Sequence, residues 1–499
     1  MLAKTLGKTV CEQIILTFVN KFTILFDRSL FVLFGEMMNK EVQTRVGATK
    51  STVAERRNSS DSEGAKHGES KPAMRLTQLA SWVLLAGTGA LASCASVSPQ
   101  PAQPAPTLSA TPVLSKLTNP WDMAFLPDGT MFFTEKCNGL SVRQPSGAVN
   151  RLLGMKDAKG YAATANDLFC DGQAGMAGVA VDPDFASNRF VYVFSTSSMA
   201  SPSTNRVMRF NVSADGTKLS DRKDIVTDIG YKAAASDHPF GGSGAHNGGR
   251  LRFGPSDRLL YVTTGDNHNG ALPQSPTGIG GKVLRIDREG KAASGNNPPQ
   301  GFDPRIFTYG HRNPQGITFR PGTNQPFTAE NGPWHSDEVT ALVAGGNAGW
   351  DPRPNVGGRG ACPDKYCGYS PNQMGAVDPK ERSAFMPMTD LRTYPTAMKP
   401  AWNNDGLSQG MSSGAFLSGK QWKNWDGRMV VAYMGIGIHG TLVGNRLDVL
   451  DISSNGLSST RSTVSLPMPA GRFRSVVQGP DGDLYVATDE GEIYRMKPN

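Results

Sequence analysis

Basic side chains stand in a few short tracts whose residue types and spacing could do chemistry. Arg312 and Asn313 are adjacent, and Arg472 and Arg474 alternate around Phe473. Alternate residues of a β-strand point to the same face, so the last two guanidiniums would lie together. Because a guanidinium binds carboxylates through paired N–H donors, these tracts indicate a site for an anionic ligand. For an isolated Arg-x-Arg pair, an exposed strand face is the alternative.

Proton transfer at such a site would be expected of a histidine, because the ordinary pKa of that side chain is near working pH. The chain has 7 histidines. Their chemistry alone does not identify the histidine that would transfer the proton, because that depends on the strands and loops that position each of them.

A short phrase recurs along the chain: a turn rich in Pro, Asp and Gly, followed by a strand of β-branched or aromatic residues. The six turns are Leu126-Pro127-Asp128-Gly129, Asp182-Pro183-Asp184-Phe185, Gly254-Pro255-Ser256-Asp257, Arg320-Pro321-Gly322, Trp425-Asp426-Gly427 and Gly479-Pro480-Asp481-Gly482. Repeats of this kind are typical of propeller blades. They predict an all-β chain that forms a six-bladed β-propeller over residues 111–499, with a set of unrelated hairpins as the alternative.

Three ordered motifs lie in the middle of this region. They read Gly310-His311-Arg312-Asn313-Pro314-Gln315-Gly316, Glu330-Asn331-Gly332-Pro333-Trp334-His335-Ser336-Asp337-Glu338 and Gly345-Gly346-Asn347-Ala348-Gly349-Trp350. With them the chain resembles the soluble sugar dehydrogenases that depend on pyrroloquinoline quinone (PQQ), the glucose/sorbosone dehydrogenase family. The resemblance begins near Asn119-Pro120-Trp121 and continues to the C-terminus. It implies an oxidoreductase that oxidises aldose sugars or sorbosone-like aldehydes, with PQQ and Ca²⁺ as cofactors.

The resemblance also implies roles for individual residues. His246 matches the catalytic base of the family, and Asp266 matches the acid that orients it. The residues that match cofactor contacts are Gln173, Gln274, Arg312, Asn313, Arg472 and Arg474. Main-chain oxygens of Gly332 and Pro333 match the Ca²⁺ ligands, which suits an ion that prefers oxygen. Asp337 and Glu338 resemble ion ligands by type, but we expect carboxylates in such a loop to cap turns.

One departure from the family concerns a lysine. Soluble glucose dehydrogenases carry a cofactor-contacting lysine in a strand of the fifth blade. Here that region reads Val431-Ala432-Tyr433-Met434-Gly435-Ile436-Gly437-Ile438-His439-Gly440, which contains none. That contact is therefore not expected at this position.

The N-terminal part has the features of an export signal. Residues 74–93 combine a basic start, an apolar run and small residues, and Leu91-Ala92-Ser93-Cys94 resembles the lipobox of bacterial lipoproteins. We expect Cys94 to be lipidated and the protein to be anchored on the periplasmic side of the cell envelope, in the outer membrane. Residues 1–73 are expected to be either a non-native stretch upstream of the true start at Met74 or a disordered extension. Residues 94–110 are proline-rich and predict a tether.

The remaining cysteines agree with export. Apart from Cys11 and Cys94, the chain has Cys137, Cys170, Cys362 and Cys367, an even set that suggests two disulfides, 137–170 and 362–367. Zinc binding is the alternative, but the spacing lacks a second Cys-x-x-Cys or a matched histidine pair.

Charge excludes one class of partner. The chain has 51 Lys and Arg against 43 Asp and Glu, for a formal net charge of +8, without a long basic run in the propeller region. Nucleic-acid binding would require a basic stripe. We expect a sugar substrate and an electron acceptor such as a cytochrome or the quinone pool. The alternatives are a calcium-dependent propeller hydrolase of the lactonase type and a propeller that binds a glycan or protein without catalysis.

Overall fold

The computed structural model describes residues 104–236, 241–353, 378, 380, 383–384, 386–438 and 441–499. In this part of the chain nearly all regular structure is β-strand. Outside the strands lie the four-residue helix α1, Phe185–Asn188, and a 3₁₀ segment, Lys420–Trp425. No helix in the described ranges is both long and apolar enough to span a bilayer.

Six sheets, numbered as blades 1–6, account for almost all of the described strands. Blade 1 contains β2 (Pro120–Phe125), β3 (Met131–Glu135), β4 (Gly139–Arg143), β5 (Val149–Gly154) and β6 (Ala163–Thr164). Blade 2 contains β7 (Met176–Val181), β8 (Phe190–Ser197), β9 (Thr204–Val212) and β10 (Leu219–Gly230). Blade 3 contains β11 (Gly248–Phe253), β12 (Leu260–Thr264), β13 (Lys282–Ile286), β14 (Ile306–Tyr309) and β18 (Gly346–Asn347).

The second half of the ring has the same plan. Blade 4 contains β15 (Pro314–Phe319), β16 (Pro326–Glu330), β17 (Glu338–Ala341) and β19 (Trp402–Asn403). Blade 5 contains β20 (Met411–Phe416), β21 (Met429–Tyr433), β24 (Arg446–Ile452) and β25 (Ser459–Thr463), with a separate hairpin of β22 (Ile436–Ile438) and β23 (Thr441–Val443). Blade 6 contains β26 (Phe473–Gln478), β27 (Leu484–Thr488), β28 (Ile493–Pro498) and β1 (Leu108–Leu114).

Blade 6 closes the ring with strands from both ends of the described chain. β1 pairs antiparallel with β28, from Leu108 opposite Pro498 to Leu114 opposite Ile493. Strand structure thus begins at Leu108, whereas the sequence places the start of the domain at residue 111. The six-bladed propeller predicted from the sequence is confirmed, and each of the six predicted turns precedes the second strand of a blade.

Apolar side chains pack between the blades. Each of six buried clusters lies mainly between two neighbouring blades, so every sheet is covered on both faces. Between blades 2 and 3, for example, Tyr192 and Phe194 pack with Leu251 and Val262. Strands such as β12 and β21 are accordingly buried at every position rather than at alternate ones. Each fully buried large side chain contributes about 1.5–3 kcal/mol to the free energy of folding.

The axis of the ring is polar. The first strands of consecutive blades pack against one another in a closed circle. Arg250, from blade 3, lies at its centre and is fully buried. Its guanidinium pairs with Asp122 of blade 1 at 2.5 Å and donates to the carbonyls of Gln315 and Ser412, from blades 4 and 5. A single arginine therefore connects several blades through their backbones.

Candidate active site

A cavity of about 480 Å³ opens at one end of the axis. The residues that line it lie at or just before the starts of the innermost strands β2, β7, β11, β15, β20 and β26, or just after the ends of the second strands β3, β16, β21 and β27. Those from the charged and polar set are Lys136, Gln173, His246, Asn247, Arg312, Asn313, Gln315, Asn331, Arg472, Arg474 and Asp489. Because the six inner strands run in the same direction, residues far apart in sequence meet at this mouth.

His246 and Asp266 form a buried pair at the cavity wall. Nδ1 of His246 lies 2.7 Å from Oδ1 of Asp266. The carboxylate can only accept, so Nδ1 carries the hydrogen, and Nε2 is left as the acceptor. His246 has a left-handed backbone, with φ of 54°. The backbone of Gly265 packs closely against this residue. A Cβ atom at position 265 would stand 2.1 Å from the carbonyl oxygen of His246, so only glycine fits there.

Asp266 is held by more than His246. Its Oδ1 also accepts from the backbone N–H of His268 at 3.0 Å, and its Oδ2 accepts from the indole Nε1 of Trp350 at 2.9 Å. The side chain of Asp266 is fully buried. This carboxylate is therefore fixed in the orientation that selects the Nδ1–H form of His246.

The surroundings of His246 keep its ring neutral. Burial, with the positive charges of Arg312 and Lys232, lowers the pKa of His246 well below its ordinary value of 6.5. The ring of His268 lies with its centroid 4.1 Å from that of His246, and burial lowers the pKa of His268 as well. His246 therefore presents an unprotonated Nε2 at neutral pH.

Arg312 reaches that nitrogen directly. Its Nη2 lies 3.0 Å from Nε2 of His246, and its Nη1 donates to the carbonyl of Asn331 at 2.8 Å. The buried carboxylate of Glu330 accepts from the backbone N–H groups of Arg312 and Asn313, which fixes the start of β15. Arg312 and His246 come from neighbouring blades and are thus in direct contact at the cavity wall.

Arg472 and Arg474 enter from blade 6 and share one carboxylate. Asp489 accepts from Nε of Arg472 at 3.1 Å, and from Nε and Nη2 of Arg474 at 2.8 and 2.7 Å. Arg472 also donates to the carbonyl of Gly435 at 3.2 Å. The two guanidiniums lie together at the cavity wall, in agreement with the alternation of Arg-Phe-Arg.

Gln173 lines the cavity from blade 2, where its amide donates to the carbonyl of Gly241 at 3.0 Å. The structure joins Cys137 to Cys170 in a disulfide. This link ties the segment after β3 to the segment before β7, and the second of these carries Gln173.

Apart from Asp266, which lies behind His246, three of the predicted catalytic, cofactor and metal residues do not line the cavity. Gln274 exchanges hydrogen bonds with Asn347 and donates to the carbonyl of Trp350, so it supports a loop. Gly332 and Pro333 follow Asn331, which does line the cavity. The N–H of Gly332 donates to Asp337 at 3.0 Å, and its carbonyl accepts from Trp334 at 3.0 Å.

Asp337 organises this loop rather than offering a free carboxylate. It accepts from Ser408 Oγ and from the backbone N–H of Gln409, each at 2.6 Å. Across the described residues, no group of three or more His, Cys, Asp or Glu side chains is arranged to hold a metal ion.

Several residues of the site were not selected from the sequence, and four of them set the charge of the cavity or support its base. Lys136 and Asp489 line the cavity, and His268 and Trp350 support the His246–Asp266 pair. Trp350 ends the third ordered motif, but its residue type alone indicated no role. Lys136 and Asp489 lie in no such motif, and only the ring closure brings them to the cavity.

Several predictions fall outside the described residues. They concern residues 1–103, with the signal and Cys94, and the pair Cys362 and Cys367.

The family model of glucose/sorbosone dehydrogenase matches residues 117–495. The aldose sugar dehydrogenase YliI of Escherichia coli is 26% identical over 397 residues, covering 79% of this chain and 93% of the relative. The quinoprotein glucose dehydrogenase B of Acinetobacter calcoaceticus is 26% identical over 437 residues, covering 76% of this chain and 84% of the relative.

Solved structures give the same picture of the fold. A crystal structure described as a putative glucose dehydrogenase from Thermus thermophilus has a TM-score of 0.56 and 27% identity, covering 78% of this chain and all of the other. The apo-form of the soluble aldose sugar dehydrogenase from Escherichia coli has a TM-score of 0.60 and 23% identity, covering 79% and 100%. The PQQ-bound aldose sugar dehydrogenase from Streptomyces coelicolor has a TM-score of 0.56 and 23% identity, covering 80% and 100%.

Proposed function

We propose that this chain, which belongs to the glucose/sorbosone dehydrogenase family, is a PQQ-dependent oxidoreductase that oxidises the CH–OH group of aldose sugars or sorbosone-like aldehydes. One observation carries the proposal. An oriented imidazole with an unprotonated Nε2 stands at the wall of a cavity that is also lined by guanidiniums from two other blades. The guanidiniums can hold an anionic cofactor, and the imidazole beside them can remove a proton from a substrate bound next to that cofactor.

The lining of the cavity fits PQQ, a planar quinone with three carboxylates. Four cations line it, Lys136, Arg312, Arg472 and Arg474, whereas Asp489 is the single carboxylate among the described lining residues. The cavity therefore has an excess of positive charge that a multiply anionic ligand would neutralise. Trp121 and Met434 add surfaces suited to a flat ring system. When bound, PQQ supplies a quinone that accepts two electrons from the substrate.

His246 is the residue that would take the substrate proton. Its Nε2 has one lone pair, and in this structure that lone pair faces Nη2 of Arg312. A sugar hydroxyl must therefore take the place of Arg312 at Nε2 before its proton can be transferred. Asp266 keeps the hydrogen on Nδ1 and stabilises the imidazolium that forms after the transfer.

Ca²⁺ is the second proposed cofactor, with main-chain oxygens of Gly332 and Pro333 as ligands. Oxygen ligands are what Ca²⁺ prefers, and the hydrogen bond from Gly332 to Asp337 would hold the loop in place. When bound, the ion supplies a Lewis acid that polarises an oxygen of the cofactor. We expect chelation to remove activity and added Ca²⁺ to restore it.

We also propose that Cys94 is lipidated and that the propeller works on the periplasmic side of the envelope, passing electrons to a cytochrome or to the quinone pool. The lipobox-like sequence supports this. Full-length protein should fractionate with membranes, and Cys94→Ser should release it. A Cys94→Ser protein that stays on the membrane would exclude a lipid anchor at this residue.

The central experiment reconstitutes the purified protein with PQQ and Ca²⁺ and follows dye reduction with a panel of aldoses. We expect turnover that requires PQQ and is lost in His246→Ala. A lactonase would hydrolyse lactones without PQQ, and a binding propeller would show neither reaction. Either result would overturn the proposal.

A further inference from the structure

We propose that Lys136 is a cofactor-binding residue, supplying the cavity with a cation from blade 1 that holds an anionic group of the bound ligand. The inference rests on the proposed function, because it takes PQQ as that ligand. It gives a role to a lysine that no motif in the sequence selected.

The position of Lys136 is fixed by its backbone. Its N–H donates to the carbonyl of Asn119 at 3.1 Å, and its carbonyl accepts from the N–H of Met176 at 2.8 Å. The amide of Asn119 in turn donates to the carbonyl of Asp489 at 2.9 Å. Lys136 is therefore attached to blade 2 on one side and to blade 6, which carries Arg472 and Arg474, on the other.

The side chain has donors to spare. Nζ of Lys136 donates to the carbonyl of Gly172 at 2.9 Å. An ammonium has three N–H donors, and a neutral carbonyl does not compensate its charge. The side chain is half-buried and lines the cavity, so the other two donors can meet a ligand there.

The neighbouring charges indicate what kind of ligand this is. Burial and the charges of Arg474 and Arg472 lower the pKa of Lys136, and Asp489 opposes them in part. The carboxylate of Asp489 is already shared by the two arginines. Three cations thus surround a single carboxylate, and a carboxylate brought by the ligand would relieve the repulsion.

This lysine also bears on the departure noted in the sequence. The fifth-blade segment in which soluble glucose dehydrogenases carry a lysine contains none in this chain. Lys136 brings an ammonium into the same cavity from blade 1, next to the arginines of blade 6.

Binding of PQQ to the apoprotein tests the inference without measuring turnover. Equilibrium dialysis would give the Kd for the wild type, Lys136→Gln, Lys136→Arg and Lys136→Met. Glutamine can still donate to the carbonyl of Gly172, so Lys136→Gln removes the charge and keeps a donor. Lys218→Gln is the matched control, because Lys218 is exposed on the turn between β9 and β10.

We expect Lys136→Gln to raise the Kd about tenfold, as for the loss of one charge-assisted hydrogen bond. The Kd of Lys136→Arg should stay within about threefold of the wild-type value, and the Kd of Lys218→Gln should equal the wild-type value. The wild-type Kd should rise with KCl more steeply than that of Lys136→Gln, because fewer charges are paired in the variant. A merely structural lysine would not change this salt dependence.

Three results would overturn the inference, and they can be told apart. If the wild type does not bind PQQ, the proposed function fails and the inference fails with it. If the wild type binds but Lys136→Gln binds equally well, only the inference fails. Loss of affinity in Lys136→Met alone would assign Lys136 to holding Gly172, which also contradicts a charge contact. Thermal unfolding of each apoprotein would show that the variants are folded.

Discussion

Two places on the axis of the ring use the same ionic unit, a pair of arginines on one aspartate. In the axial core, Asp122 pairs with Arg250 and Arg252. At the mouth, Asp489 pairs with Arg472 and Arg474. The units differ in what surrounds them. Asp122 and Arg250 are fully buried, whereas Arg472 is one-third exposed and faces the cavity.

The donors of the core arginine are all used within the protein. Besides its bonds to Asp122, Gln315 and Ser412, Arg250 donates to the hydroxyl of Ser475 at 3.1 Å and lies 4.2 Å from the ring centre of Trp121. At the mouth, Lys136 and Arg312 add two further cations without a second lining carboxylate. An arginine whose donors are all used within the protein therefore stabilises the ring, whereas the cations at the mouth outnumber the lining carboxylates and are placed to bind a ligand.

The largest effect should come from removing the general base at the mouth, which lowers activity without weakening cofactor binding or stability. We expect His246→Ala to lower kcat/KM about 10³-fold, because general-base catalysis contributes roughly 10²–10⁴-fold. PQQ affinity should change little, and the thermal midpoint should stay close to that of the wild type. Steady-state kinetics, dialysis and calorimetry on one preparation would check this. Full turnover in the variant would remove His246 from the mechanism.

The second test is a change in the core. Asp122→Asn leaves the buried guanidinium of Arg250 without a counter-charge, and breaking a buried pair costs about 3–5 kcal/mol of unfolding free energy. Urea titration of the apoprotein would measure the loss. The variant should still bind PQQ with wild-type affinity under conditions in which it is folded. A variant with wild-type stability but weak binding would reverse the distinction between the two units.

The pH dependence of catalysis gives the next effect. The pKa of His246 is lowered well below 6.5 by burial and by the charges of Arg312 and Lys232. A base with a lowered pKa stays unprotonated as the pH falls, so kcat/KM should hold at pH 6.5 and decline only at lower pH. The profile of kcat/KM from pH 5 to 8 would report this group in the free enzyme. A decline centred between pH 6.5 and 7 would contradict the burial argument.

The smallest effect is expected for Asp489→Asn, the counterpart of the core change. The cationic partners of Asp489 reach the solvent of the cavity, so we expect a loss of about 1 kcal/mol or less. Urea titration beside Asp122→Asn would give the difference directly. Equal losses for the two variants would mean that exposure does not separate the units.

Local sequence predicted much of the fold. Each Pro-Asp or Pro-Gly turn joins the first two strands of a blade, because turn chemistry and strand propensity act over a few residues. The closure by Leu108–Leu114 could not be read in this way. The partner of this strand is nearly 400 residues away in sequence, and strand pairing depends on tertiary context.

The site was predictable where it follows a motif. His246, Arg312 and Arg474 come from ordered tracts, and all three line the cavity. Gln274 does not, because its place in a loop does not determine the direction of its side chain, which here turns to Asn347. Lys136 has no motif around it, and its role depends on contacts between blades. The assignments of Gly332 and Pro333 to Ca²⁺ and of Cys94 to a lipid remain predictions.

The pairing of β1 with β28 has a consequence for biosynthesis. Among the described strands, β1 leaves the ribosome first and its partner leaves last. Until then, blade 6 is incomplete and the edge of β1 is unpaired. Unpaired strand edges can form hydrogen bonds with strands of other molecules and so promote aggregation. We expect translation products that stop after blade 5 to aggregate. In the finished chain the edges of β1 and β28 pair with each other and are no longer exposed.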